Sequence, residues 1–357
     1  MILGALVVAG LVLTLLLALV WRPLRGWRLL WVNLALLPVH AVLLLPFVLG
    51  FIGSRWIGTR PDERAYPGPR LDATGRFVFQ SRASLRGAAT RPAVALLPPV
   101  EQHLLTGSDG VRVRAFFVPA AQPTGLAAVL VHGLFRGALE LETVASLLHE
   151  QGVDVLLLEM RNHGGSERAP ATFGLTEQRD VLAATAFLRG DPRTRDRKLL
   201  LFGVSLGTVA VMLAAPEVPG LAGVMLDAPV TDVLATAHRM LSARRDKEPR
   251  RPGIPQPLRS LALDSIEIWS GFAFQDIQPA AALGRVPATV PLLCVAEGED
   301  DRIPPDEVRA FVASLPGRDV ARDVWVVPGA GHGTAWESHA AEYRAHVLAW
   351  LDRVRSH

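Results

Sequence analysis

The sequence predicts an α/β protein in which a mostly parallel sheet carries helices on both faces. Short, continuous apolar runs such as LAAVLVHG (126–133) and KLLLFGVS (198–205) are typical of buried parallel strands. These runs alternate with amphipathic patterns such as LELETVASLLHEQG, which favour helices. Because consecutive parallel strands require crossover connections, this alternation predicts a wound sheet. Two long runs without charge precede the alternating part and predict a transmembrane helical hairpin.

The individual elements follow from local pattern and turn signals. SDGVRVRAFFVP starts with a turn signal and then alternates, which predicts an antiparallel strand that enters the sheet. TEQRDVLAATAFLRG, LGTVAVMLAA and VRAFVASLPG predict helices, and AAEYRAHVLAWLDRV predicts a closing helix. Together these elements place an α/β domain over residues 101–357. Its buried strands are expected at 126–133, 153–160, 198–205, 221–229, 290–298 and 321–331.

The first 53 residues differ from the rest of the chain. The runs at about 1–21 and 29–53 are long enough to cross a bilayer, and tryptophans lie near their ends, as in an aromatic belt. A cleaved signal peptide or a buried soluble hairpin is the alternative. The chain lacks a basic start and a clear cleavage site, and charge-free runs this long are rare in soluble proteins. Residues 54–100 are rich in Pro, Arg, Gly and Ala and are expected to form a linker with a short strand at RFVFQ.

The arginines that flank the hairpin bear on its orientation in the membrane. Three arginines in the loop at 22–28 favour a cytoplasmic loop and therefore a C-terminal domain outside the cytoplasm. Four further arginines between residues 55 and 70 weaken this inference. We expect a membrane protein and lean toward the outside for its α/β domain.

The composition and the motifs of the sequence argue against several classes of partner and cofactor. The net charge is only +3, from 37 basic and 34 acidic residues, and no basic block is interleaved with aromatic residues, so nucleic acid is not expected as a partner. The single cysteine, Cys294, lies in an apolar run and is expected to be a buried hydrophobe. The sequence has no H-E-x-x-H motif, no paired cysteines, no calcium loop and no P-loop, which predicts neither a metal nor a cofactor.

One pentapeptide predicts a nucleophile. Gly203-Val204-Ser205-Leu206-Gly207 stands where the predicted strand at 198–205 meets a predicted helix. Glycines suit such a joint, because a sharp turn brings backbones together where side chains would clash. The turn would lift the Ser205 hydroxyl off the sheet, and the Leu206 amide at the helix N-terminus would face developing negative charge.

A serine hydroxyl needs a base, and two later strand ends supply candidates. His332 follows the last predicted strand in a Gly-rich loop, and its imidazole could accept the hydroxyl proton. The preceding strand is followed by GEDDRIPP, in which Asp300 or Asp301 could orient that imidazole. Because the carboxyl ends of parallel strands meet at one edge, we expect the three side chains to converge there.

This order of Ser, Asp and His after G-x-S-x-G resembles the α/β-hydrolase superfamily, with likeness to its monoglyceride-lipase-like and serine-aminopeptidase-like branches, over residues 101–357. VLVHGLFRG resembles the family's His-Gly loop, which implies the Leu134 amide as an oxyanion donor beside that of Leu206. In the acid loop, the Gly-to-Asp spacing and the following Arg-Ile favour Asp301, whereas the spacing to Pro favours Asp300 as the alternative acid. The resemblance also implies a cap insert at about 230–290 that shapes the pocket.

The resulting expectation is a membrane-anchored serine hydrolase that cleaves an ester or thioester through an acyl-enzyme. Its partners would be a small or lipid-like acyl substrate and the bilayer. A serine peptidase of the aminopeptidase-like kind is the enzymatic alternative, since fold likeness does not determine the substrate. A non-catalytic hydrolase-like scaffold is the alternative from another class.

Overall fold

The structure is a computed structural model that describes residues 48, 50–51, 70–71, 77–78, 100–242 and 253–357. The chain divides into two compact units. One comprises the described residues within 57–236 and 275–357 and contains the large sheet. The other comprises the described residues within 1–56 and 237–274.

The large sheet has eight strands in the order β10-β9-β8-β7-β5-β6-β4-β3. All neighbours from β10 to β6 are parallel, whereas β4 pairs antiparallel with both β3 and β6. A separate antiparallel pair joins β1 (Arg70–Leu71) to β2 (Phe77–Val78). The strands of the large sheet are β3 (Glu101–Thr106), β4 (Arg112–Val118), β5 (Leu126–Val131), β6 (Asp154–Leu158), β7 (Lys198–Val204), β8 (Leu221–Asp227), β9 (Leu292–Glu297) and β10 (Val324–Val327).

The predicted α/β architecture is confirmed, with two differences at the sheet edges. The continuous apolar runs form strands such as β5 and β6, whose residues are all buried, as expected for strands covered on both faces. The edge strand β3 was not predicted, because only one of its residues, Leu105, is buried. The last strand begins later than predicted, since Asp319 caps a short helix by accepting the Ala321 N–H at 2.9 Å.

Helices cover both faces of the sheet. On one face, Trp350 and Tyr343 of the closing helix are fully buried beside Leu148 and Leu157. Both large aromatic groups satisfy their polar atoms, because Tyr343 donates to Asp227 and Trp350 donates to the Pro291 carbonyl. The helices of this unit are α1 (Glu142–Glu150), α2 (Gln178–Gly190), α3 (Leu206–Ala214), α6 (Pro279–Leu283), α7 (Pro305–Ser314), α8 (Val320–Asp323), α9 (Ala335–Ser338), α10 (Ala340–Arg355) and the first turn of α4 (Val233–Met240).

The second unit contains the rest of α4 and the helix α5 (Gln256–Ser270) of the predicted insert. Its described N-terminal residues pack on α5: a Cβ added to Gly50 would lie 2.2 Å from the Ser265 Cβ, so this position requires glycine. The rings of Phe51 and Trp269 meet edge to face at 4.8 Å between centroids. These contacts join the end of the second apolar run to the insert.

The two predicted membrane spans fall outside the described residues, apart from Val48, Gly50 and Phe51. Within the part of the chain that the structure describes, no helix has both the length and the apolar character needed to cross a bilayer.

Candidate active site

Ser205 stands on a sharp turn between β7 and α3. Its φ of 49° and ψ of −118° lie in a region that a serine rarely adopts. The two flanking glycines allow this turn: a Cβ on Gly203 would lie 2.7 Å from the Gly207 carbonyl oxygen. A Cβ on Gly207 would lie 2.6 Å from the Val131 and His132 carbonyl oxygens. A side chain on Gly203 would therefore clash with the start of α3, and one on Gly207 would clash with the end of β5, which explains the spacing of the motif.

A relay of two hydrogen bonds connects the serine to an imidazole and a carboxylate. The Ser205 Oγ lies 2.9 Å from the His332 Nε2, and the His332 Nδ1 lies 2.6 Å from Oδ2 of Asp300. Because a carboxylate can only accept, Nδ1 carries the proton and Nε2 is left to accept the serine proton. The structure thus brings Ser205 and His332 together, although they lie 127 positions apart in the chain.

The carboxylate beside the imidazole corrects the preferred assignment: it belongs to Asp300, the alternative, and not to Asp301. Asp300 is buried, and its Oδ1 accepts the backbone N–H groups of Arg302 at 2.8 Å and Ile303 at 3.1 Å. These two bonds turn Oδ2 toward His332. Asp301 is half-buried and forms no hydrogen bond within the described residues. The spacing to the following proline, rather than that from the preceding glycine, was the informative signal.

The loops that carry Asp300 and His332 are bonded to each other. The Gly298 N–H donates to the Val327 carbonyl at 2.8 Å, and the Glu299 N–H donates to the Ala330 carbonyl at 2.9 Å. These bonds extend the pairing of β9 with β10 beyond the strand ends. The acid and the base are therefore held together by backbone as well as by their own contact.

The predicted oxyanion loop follows β5 and lies against the serine turn. A Cβ on Gly133 would lie 3.2 Å from the Ser205 Cβ. Next to Gly133, Leu134 is half-buried, and Phe135 has a φ of 61° and is 51% exposed. Leu206 is buried at the first position of α3, where backbone N–H groups have no intrahelical acceptor. The amides of Leu134 and Leu206 thus belong to two segments that meet at Ser205.

Two further carboxyl groups are buried behind the relay. Burial raises the pKa of Glu297 to about 9 and that of Asp227 to about 6, since an ionised form loses its hydration there. The Oε1 of Glu297 accepts the Thr334 N–H at 3.0 Å, and Asp227 accepts the Tyr343 hydroxyl at 2.6 Å. Glu297 is therefore neutral at pH 7 and adds no negative charge beside Asp300.

Glu297, Asp300 and His332 also offer ligand atoms within 4.8 Å of one another, the spacing that a metal ion could use. His332 and Asp300 are already bonded to each other through Nδ1 and Oδ2, and the carboxyl group of Glu297 is neutral near pH 7. A proton-holding carboxyl is a poor cation ligand. The arrangement favours a hydrogen-bonded relay over a metal centre.

The segment that follows β6 forms a buried ion pair with β4 and also contacts the oxyanion loop. Arg114 donates to Glu159 at 2.6 Å, and both side chains are less than a tenth exposed. Gly164 lies so close to this carboxylate that a Cβ there would be 2.0 Å from it. Glu159 therefore reaches both Arg114 and the glycine turn. From the same segment, His163 Nε2 accepts the Phe135 N–H at 3.3 Å.

Comparison with known proteins defines the family of this chain. The model of the family described as "Alpha/beta hydrolase family" matches residues 128–346, which include the serine turn, the acid and the histidine. The chain belongs to the alpha/beta hydrolase family. Two similar relatives of this hydrolase are the uncharacterized proteins Rv2307c of Mycobacterium tuberculosis and YqkD of Bacillus subtilis. The first is 30% identical over 73% of this chain and 85% of its own length, and the second is 23% identical over 89% and 97%.

Solved structures share the fold of this alpha/beta hydrolase. The esterase Pf2001 of Pyrococcus furiosus matches with a TM-score of 0.57 at 19% identity, over 71% of this chain and 92% of that one. Est1E of Butyrivibrio proteoclasticus with bound ferulic acid matches with a TM-score of 0.53 at 18% identity, over 71% and 99%. At these identities the likeness concerns the fold.

Sequence reasoning missed the buried acids around the site. Glu297 lies in a strand and Glu140 at the start of a predicted helix, where an acidic residue looks like an ordinary first-turn charge. Asp227 lies at the end of β8 and packs on the closing helix through its bond to Tyr343. A signal that could have identified Glu297 is a charged residue at the end of an otherwise apolar run.

Proposed function

We propose that this protein is a serine hydrolase that cleaves carboxylic esters or thioesters through an acyl-enzyme. The observation that carries the proposal is the continuous relay from the Ser205 hydroxyl through His332 to Asp300. An isolated serine between two glycines would need no such partners. Family membership and the esterases among its structural neighbours support hydrolysis as the class of reaction.

The proposed reaction follows from the directions of these groups. Ser205 Oγ attacks the acyl carbonyl carbon while its proton moves to His332 Nε2. The carbonyl oxygen becomes an oxyanion that accepts the N–H groups of Leu134 and Leu206. Collapse of the intermediate breaks the bond to the leaving group, which takes the proton from Nε2. A water molecule then gives a proton to Nε2 and attacks the acyl carbon. The bond from that carbon to Ser205 Oγ breaks, the acid is released, and Oγ takes the proton back from Nε2. Asp300 keeps Nδ1 protonated and stabilises the imidazolium.

The charge-free N-terminal runs support the further proposal that a membrane holds this hydrolase near a lipid-like acyl substrate. If so, the full chain expressed in bacteria stays in the membrane pellet after an alkaline carbonate wash and is released by detergent. Release by carbonate alone would contradict the anchor without affecting the hydrolase assignment.

Labelling with a fluorophosphonate tests the nucleophile. We expect the probe to label the wild type and Ser314→Ala, a control on the exposed surface of α7, but not Ser205→Ala. A folded wild type that resists the probe would favour a non-catalytic scaffold.

Turnover of p-nitrophenyl esters of graded chain length beside aminoacyl anilides tests the substrate class. We expect the esters to react faster. Faster turnover of the anilides would favour a peptidase instead.

A further inference from the structure

The amides of the oxyanion loop are almost all engaged within the protein. The Gly133 N–H donates to Glu140 Oε2 at 2.6 Å, and the Phe135 N–H donates to His163 Nε2 at 3.3 Å. The Arg136 N–H donates to the Gly133 carbonyl at 3.3 Å. Among the described residues, no group accepts the Leu134 N–H. Over the described residues 133–136, the Leu134 N–H is therefore the one amide without an acceptor, and side chains hold the amides on both sides of it.

Glu140 reaches the loop from the short helix Ala138–Leu141, whose first and last residues are buried in the core. A Cβ added to Gly133 would lie 3.2 Å from Glu140 Oε2 and 3.2 Å from the Ser205 Cβ. The carboxylate, the loop peptide and the serine turn therefore meet at a single point. Only 18% of the Glu140 side chain is exposed, so water competes little for the Gly133 N–H.

The charge state of Glu140 is sensitive to pH. Burial raises its pKa to about 7, while the hydrogen bond from the Gly133 N–H and the charge of Arg136, at 3.4 Å, oppose the rise; Asp227 adds a smaller contribution to it. Tyr343 and Asp227 share with Glu140 the lining of a cavity of about 10 Å³. Burial also raises the pKa of the Tyr343 hydroxyl, so that group stays neutral. An ionised Glu140 accepts the Gly133 N–H more strongly than a protonated one, because charge-assisted hydrogen bonds are about twice as strong.

We propose that Glu140 is a positioning residue of the oxyanion hole: by holding the Gly133 peptide, it directs the Leu134 N–H toward the oxygen that becomes negative during acyl transfer. This inference rests on the proposed function. Glu140 touches neither the substrate nor the reacting atoms. Its contribution appears only as the oxyanion forms, so it should affect kcat much more than KM.

Two substitutions and one control test the proposal. Glu140→Ala removes the acceptor, whereas Glu140→Gln keeps an oxygen that can accept the Gly133 N–H but cannot ionise. Glu150→Gln is the matched control, because it makes the same change at the end of α1, where Glu150 forms a surface ion pair with Arg344 of α10. The measurements are kcat and KM for p-nitrophenyl butyrate from pH 5.5 to 8.5, with thermal unfolding of each variant.

We expect Glu140→Ala to lower kcat about 10- to 100-fold with KM changed less than about twofold, since loss of a whole oxyanion donor costs about 100- to 1000-fold. Glu140→Gln should recover most of this loss, and Glu150→Gln should match the wild type. The ratio of wild-type kcat to that of Glu140→Gln should rise as pH passes through about 7, where the carboxyl of Glu140 ionises.

The inference alone fails if the wild type is active and Glu140→Ala keeps its kcat, or if Ala and Gln reduce kcat equally. If Glu140→Ala does not fold, the Gln variant decides, and a kcat ratio independent of pH overturns the inference. A folded wild type that neither hydrolyses esters nor reacts with a fluorophosphonate instead overturns the proposed function, and this inference with it.

Discussion

Replacement of Asp300 by asparagine tests the relay at its most specific contact. Its Oδ1 accepts two backbone N–H groups, from Arg302 and Ile303, while its Oδ2 faces the His332 Nδ1. In Asp300→Asn, the amide oxygen must stay toward the two backbone donors, because a flipped NH₂ would oppose them. The NH₂ group then points at Nδ1, which must become an acceptor. The proton of the neutral imidazole moves to Nε2, which can no longer accept from Ser205.

The size of the effect follows from this change of tautomer. The imidazole remains 2.9 Å from the Ser205 hydroxyl, but its base function is blocked and its charged form loses a carboxylate partner. The corresponding change in a serine protease triad lowers kcat by about 10⁴. For Asp300→Asn we expect a loss of about 10³- to 10⁴-fold in kcat, or about 4–5.5 kcal/mol of transition-state stabilisation. KM should change little, since no substrate contact is removed.

Asp301→Asn is the matched control, because the same substitution one residue later touches a half-buried side chain outside the relay. Its kcat for p-nitrophenyl butyrate should stay within about twofold of the wild type, and both variants should unfold near the wild-type temperature. If Asp301→Asn loses more activity than Asp300→Asn, or if a folded Asp300→Asn keeps more than a tenth of the wild-type kcat, this reasoning is refuted.

Three further substitutions test the packing and electrostatics of the site. Gly203→Ala should lower the free energy of unfolding by about 1–3 kcal/mol in urea titrations, because its Cβ would meet backbone at 2.7 Å, whereas Gly190→Ala, with open space, should be neutral or stabilising. Arg114→Ala should lower the free energy of unfolding by about 3–5 kcal/mol, because it leaves the buried Glu159 carboxylate without its ion-pair partner, whereas the exposed Arg112→Ala should unfold like the wild type. In the same titrations, the free energy of unfolding of Glu297→Gln should increase relative to that of the wild type as the pH rises from 5 to 8. The expected increase is up to about 4 kcal/mol, at about 1.36 kcal/mol per pH unit.

The sign of the Glu297 effect follows from its proton. The native carboxyl keeps its proton up to a pKa of about 9, whereas the unfolded one releases it above 4.5. The stability that this group contributes is complete below pH 4.5 and is lost as pH rises toward 9, and glutamine removes that loss. Equal pH dependence in the wild type and the glutamine variant would contradict the buried, neutral state of Glu297.

Much of the candidate site could be predicted because its signals are local. Ser205 stands in a five-residue motif in which Gly203 packs closely against the Gly207 backbone, and His332 follows a strand in a Gly-rich loop. The choice between Asp300 and Asp301 depended on which side chain an Asx-type turn directs inward, and two competing spacings left that open. Glu140 was missed because its role depends on a fold-back of seven residues onto Gly133, which no periodicity records.

The buried acids also explain why one carboxylate can serve the relay among several. Asp300 accepts three N–H groups, two from the backbone and one from His332. The Oε1 of Glu297 accepts the Thr334 N–H, and its Oε2 has no partner within the described part of the chain. Hydrogen bonds to a charged form favour that form, whereas burial without them favours the neutral form. Three donors thus fix the direction of the Asp300 carboxyl group, whereas burial and the neighbouring Asp227 raise the pKa of Glu297. With Glu297 protonated, an imidazolium that forms at His332 interacts with a carboxylate whose direction the backbone has already set.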